Sequence, residues 1–122
     1  MSNLDEFTLA YIECALWSSN DESTESGGEP MDANYDIDDI AAETLDLILA
    51  DCIQFQNNNV IPLTDLELSR AGDVFWLTRN SHGAGFWDGD YPKDIGAALT
   101  KSSKSYGPIT LYVGDDNLLY LM

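Results

Sequence analysis

With 122 residues, 44% of them apolar, the chain can build one domain around one hydrophobic core. Twenty-two acids against five bases leave a formal net charge of −17. A field of that sign repels nucleic acid, anionic membranes and acidic substrates and attracts basic surfaces, so a protein whose own partner is DNA is a better candidate partner than DNA itself.

The start, MSNLDEF, lacks the basic and apolar regions of a signal peptide. No apolar run approaches the ~20 residues of a membrane span. Asn3, with Glu6 three residues on, reads as a capping box. Leu4, Phe7, Tyr11 and Cys14 follow at helical spacing, and Leu9, Ile12 and Leu16 widen the stripe. A first helix is expected over 4–18. Residues 19–35 are rich in Ser, Gly and acids and read as one long loop. Its acids alternate with other oxygen-bearing side chains but lack the spacing, central Gly and terminal Glu of a calcium loop.

Asp36-Ile37-Asp38-Asp39 reads as a capped turn leading into a second helix over 41–57, its acids at the dipole's favourable end. Leu45, Ile48, Leu49, Cys52 and Phe55 form the inward face. Pro62 and Thr64 are expected to open a third helix over 63–71, ended by Gly72. Val74 to Thr78 is apolar, β-branched and aromatic, which suits a buried strand. Asn80 to Gly83 would turn the chain, and Gly85-Phe86-Trp87 would return it as a hairpin over 74–88. Pro92 starts a fourth helix that ends near Tyr106-Gly107. Ile109 to Val113 and Leu118 to Met122 form a second hairpin over 109–122, with Leu111, Val113, Leu119 and Leu121 on one face.

These elements predict an α+β fold in a single domain, 1–122, with about four helices packed on an antiparallel sheet of about four strands. Charge divides the chain unequally. Residues 1–73 hold 17 acids and one base, Arg70, while residues 74–122 hold 5 acids and 4 bases. An acidic helical part is thus joined to a nearly neutral hairpin–helix–hairpin part.

Candidate chemistry centres on the first hairpin. His82, Asp88 and Asp90, with Arg79 beside them, could act as acid, base or metal ligands. With one His in the chain, neither a facial triad nor a His-rich zinc site forms, so neither a metal nor a cofactor is expected. Gly83-Ala84-Gly85 lacks the Lys-Ser/Thr of a phosphate loop and the third Gly of a dinucleotide fingerprint. Arg79 has a structural alternative, pairing with Asp88 or Asp90 across the hairpin. Cys14 and Cys52 lie in apolar runs with no CxxC spacing and read as buried free thiols. Trp76, Phe86, Trp87 and Tyr91 form an aromatic cluster suited to core packing or to anchoring a partner.

The skewed acid array is the most unusual feature. Duplex DNA presents one charge per about 1.7 Å of axis, and carboxylates on two helices and a loop could imitate that row. The residues expected to carry this are Asp21, Glu22, Glu25, Asp36, Asp38, Asp39, Glu43 and Asp46.

The run DVFWLTRNSHGAGFWDGDYP, with AYIECALWSSNDE before it and LYVGDDNLLYL after it, resembles a family of small acidic proteins of tailed bacteriophages and prophages. No activity or catalytic residue is assigned to that family. The resemblance implies a phage accessory protein acting in the host cytoplasm. Three readings follow. The first is a non-enzymatic binder of a basic, nucleic-acid-binding host protein, with DNA mimicry as its sharpest form. The second is a small enzyme or ligand-binding domain at His82, Asp88 and Asp90. The third is a virion or folding accessory.

Overall fold

A computed structural model describes residues 4–21, 29–64, 66–80, 85–86 and 91–121. Among them the order is α1 (Glu6–Ser18), β1 (Asn20–Asp21), β2 (Glu29–Pro30), two 3₁₀ turns (Met31–Ala33 and Ile37–Asp39), α2 (Ala42–Asn58), α3 (Val60–Leu63), α4 (Leu68–Arg79), α5 (Lys93–Lys104), β3 (Leu111–Val113) and β4 (Leu119–Leu121). The architecture is α+β and mostly helical.

Three local readings hold, two of them with a shift. α1 is capped by Asp5 rather than Asn3, because the Asp5 carboxylate accepts the Thr8 amide at 2.9 Å. Its other oxygen accepts from Gln56 of α2 at 2.9 Å. Partial burial disfavours the charged Asp5, but the bonds from Thr8 and Gln56 outweigh it and hold the carboxyl below its ordinary value. Asp36 does cap a turn: it accepts from the Asp38 amide while Asp39 accepts from the Asp36 amide, each at 2.9 Å. α5 begins one residue after Pro92 and closes on Gly107, whose φ of +76° falls where glycine is at ease.

The loop expected over 19–35 is more structured than its composition suggests. β1 pairs antiparallel with β2, Asn20 opposite Pro30 and Asp21 opposite Glu29. The Met31 amide donates to the Ser19 carbonyl at 2.8 Å, and the Met31 side chain is buried. β3 and β4 form the expected C-terminal hairpin, with Leu111 opposite Leu121 and Val113 opposite Leu119. Leu111 and Leu119 enter the core, and Val113 and Leu121 pack against it. The Tyr112 and Tyr120 rings stack on the other face. Asn117 takes the left-handed conformation that closes the turn. The Leu119 carbonyl accepts from Ala41 at 3.1 Å, which ties this hairpin to the start of α2.

The central expectation fails. Val74 to Thr78 is not a strand but the second half of α4, and the third helix expected over 63–71 is replaced by the single turn α3 and by α4. The described residues hold two separate two-stranded sheets instead of one sheet of about four strands. The reason is burial on several sides. Val74, Phe75, Trp76, Thr78 and Arg79 are all buried, and a continuous apolar run fits a buried helix as well as a buried strand. Phe75 stacks on Phe55 of α2 with ring centroids 4.0 Å apart, while Tyr11 of α1 meets Trp76 edge-on at 5.3 Å. The Trp76 indole donates to Ser18 Oγ at 2.9 Å.

Gly72 does not stop a helix; it lets two helices touch. α4 crosses α1 so closely that a Cβ at Gly72 would collide with the Phe7 carbonyl and lie 3.1 Å from the Ala10 Cβ. Alanine normally gains about 1 kcal/mol over glycine in a helix. Overpacking against a backbone atom costs about 1–3 kcal/mol and cannot be relieved by a rotamer. Gly72→Ala is therefore expected to lower stability in urea unfolding, and a stability equal to or above wild type would show that the α1–α4 approach is looser.

Candidate functional site

Arg79 is the one candidate catalytic residue whose surroundings are described. It ends α4, where a cation meets the negative end of the dipole. Its side chain is 3% exposed. Nε donates to the Gly107 carbonyl at 2.9 Å, and Nη2 to the Tyr106 carbonyl at 3.0 Å. Nη1 donates to the Tyr11 hydroxyl and to Asp51 Oδ2, each at 3.0 Å. The guanidinium also lies 5.5 Å from the Tyr106 ring centroid and 5.9 Å from that of Phe75. One side chain therefore joins α4 to α1, to α2 and to the segment after α5. Its ion-pair partner is Asp51, and its donors are engaged by the scaffold. Its neighbours act in the same way: Thr78 Oγ1 accepts the Phe86 amide at 3.2 Å, and Asn80 Oδ1 accepts the Ile109 amide at 2.8 Å. The polar residues of Thr78-Arg79-Asn80 hold later segments in place.

His82, Asp88 and Asp90 lie outside the described residues, as do Gly83, Ala84 and Trp87. Among the described residues, no three His, Cys, Asp or Glu side chains are placed to hold a metal ion.

Of the acids expected to meet a partner, Asp21 lies on β1, and Glu22 and Glu25 fall outside the described residues. The other five follow one another along two adjoining elements. Asp36 and Asp38 are exposed on the second 3₁₀ turn, and Asp39 is half-buried by its capping bond. Glu43 and Asp46 are exposed on the first turns of α2, three residues apart and so on one face.

A second acidic concavity was not anticipated. Glu6, Leu9, Ala10 and Glu13 of α1 face Glu67 and Ser69 across a groove of about 310 Å³. Nearby, partial burial and then the charge of Glu13 raise the Asp73 carboxyl above its ordinary value. The signal was available as Glu6 and Glu13 at seven-residue spacing, but their meeting with α4 depends on the helix crossing at Gly72.

Both cysteines are free and buried. Burial, reinforced by the charge of Asp73, pushes the Cys14 thiol up to about 12, and burial also raises Cys52. Burial raises the Tyr11 phenol too, against the pull of Arg79. No helix among the described residues is long and apolar enough to cross a membrane. Compared with known protein families, curated proteins and solved structures, the chain shows no match.

Arg79→Ala removes four hydrogen bonds at about 1 kcal/mol each, together about 3–5 kcal/mol, and leaves Asp51 partly exposed to water. Arg79→Ala is expected to fall in that range in urea unfolding, and Tyr11→Phe to cost about 1 kcal/mol for one lost hydrogen bond. A loss below 1 kcal/mol for Arg79→Ala would remove its structural role. At pH 8 neither thiol should react with Ellman's reagent until the chain unfolds. Because the folded thiols titrate above their ordinary value of 9.0, their contribution to stability is full below that pH and is lost progressively as the pH rises from there through the folded values. Rapid native-state labelling would contradict this burial.

Proposed function

We propose that this protein is a non-enzymatic binder of a basic partner, engaged through the acidic run Asp36, Asp38, Asp39, Glu43 and Asp46 with Asp21, Glu22 and Glu25. One observation carries the reading: four of those five described acids stand exposed on two consecutive elements at the N-terminal end of α2. A solubilising charge needs no such succession. On the resemblance given above, the partner is a nucleic-acid-binding host protein, the setting is the host cytoplasm, and the protein is a phage accessory that competes with DNA for a cationic groove. Charge complementarity of this kind accelerates encounter and makes it sensitive to salt.

The engagement of Arg79 by Asp51 and by scaffold carbonyls supports this reading over an enzyme centred on Arg79, His82, Asp88 and Asp90, since a guanidinium with four of its five N–H groups already donated is poorly placed to bind substrate.

The test is affinity capture from host lysate at low and high salt, with duplex DNA added as competitor. The wild type should capture a DNA-binding protein that duplex DNA displaces. A variant carrying Asp36→Asn, Asp38→Asn, Glu43→Gln and Asp46→Asn should capture it at least about tenfold less and with a flatter salt dependence. Equal capture by the variant would refute the proposal.

A further inference from the structure

A cavity on the opposite kind of surface, cationic and apolar, is not used by the acidic reading. It has a volume of about 410 Å³, within the range of small-molecule sites. One wall is a stripe of α5 containing Gly96, Ala97 and Thr100, and the other is formed by Phe86, Tyr91 and Pro92. Lys93 and Lys101 line it as well, eight residues apart, or about 12 Å along the helix.

The aromatic wall is anchored in the core. Phe86 is fully buried, its ring lies 6.2 Å from that of Phe55, and it meets Tyr91 edge-on at 5.4 Å. Gly96 admits the Phe86 carbonyl where a Cβ would collide with it. The guanidinium of Arg70 lies 5.9 Å from the Tyr91 ring centroid.

Three features point to a ligand. Thr100 Oγ1 is buried with no hydrogen-bond partner among the described residues, although buried hydroxyls are normally satisfied. Neither Lys93 nor Lys101 is ion-paired among the described residues, in a chain with 22 acids for five bases. Lys93 also occupies the first turn of α5, where a cation opposes the dipole and helix stability gains nothing from it.

We infer that this cavity binds a small molecule with an apolar, ring-sized body and one anionic group. The body lies between Ala97 and the wall of Tyr91 and Pro92 that the buried Phe86 supports. The anion sits at Lys93 and the first amides of α5, and Thr100 supplies a hydroxyl to a polar atom. Lys101 closes the far end.

The test uses 8-anilinonaphthalene-1-sulfonate as the anionic probe and N-phenyl-1-naphthylamine as its uncharged counterpart, each titrated into the intact chain by fluorescence and calorimetry. The sulfonate should saturate at one dye per chain. Replacing both lysines (Lys93→Gln, Lys101→Gln) should weaken the sulfonate by about tenfold and change the uncharged dye by less than about twofold. Ala97→Phe, at an exposed position that tolerates size, should abolish both while circular dichroism shows the helices retained. Binding that does not saturate, or that persists in Ala97→Phe, would place the dye on exposed Leu47, Ile53 or Ile61 and overturn the site. Loss in Ala97→Phe with no effect of the lysine changes would overturn the anionic assignment.

Discussion

A single guanidinium organises this fold. Among the described residues Arg79 is the only buried cation, and it reaches Tyr11 of α1, Asp51 of α2 and the carbonyls of Tyr106 and Gly107. A buried charge is tolerated only when it is paired and hydrogen-bonded, and here Asp51 pairs it and four of its five N–H groups are donated. That requirement sets where α5 must end. The left-handed Gly107 presents its carbonyl to Nε, and the chain then enters the C-terminal hairpin from a defined point. The hairpin in turn holds the start of α2 through the Leu119 carbonyl. Removing the guanidinium would loosen contacts far beyond its own helix.

Charge is arranged with the same economy. One ion pair joins the buried Arg79 to Asp51, whose side chain is 35% exposed. The run from Asp36 to Asp46 faces outward, and a second set of acids lines the groove between α1 and α4. Against this background, two lysines beside one apolar cavity are conspicuous, because partners of opposite sign are abundant elsewhere in the chain. The molecule thus carries surfaces of two characters, one suited to a cationic macromolecule and one to a small anion.

Much of the helical framework could be read directly. α1, α2 and α5 announce themselves through apolar stripes and polar or proline starts, and the C-terminal hairpin through its alternation around Gly114 to Asn117. Besides the β1–β2 pairing inside the expected loop and the displaced α3, the main misreading is the stretch from Leu68 to Arg79. There β-branched and aromatic residues suggested a strand, and Gly72 suggested a helix end. Both cues reverse in context. An apolar run of that length is ambiguous when every side is covered, and a glycine inside a helix is favoured when a neighbouring backbone leaves no room for a Cβ.

Local chemistry was therefore sufficient for the charge, the capped turn at Asp36, the free buried thiols and the elements with one wet face. Those properties depend on residues close together in the chain, and they persist whatever the packing. The roles of Arg79, Gly72 and Thr100 were decided by tertiary structure alone. Each depends on groups distant in sequence: Arg79 on Tyr11 and Asp51, Gly72 on Phe7, and Thr100 on the wall built by Phe86 and Tyr91. Only folding brings such groups within the few ångströms over which hydrogen bonds and steric contacts act.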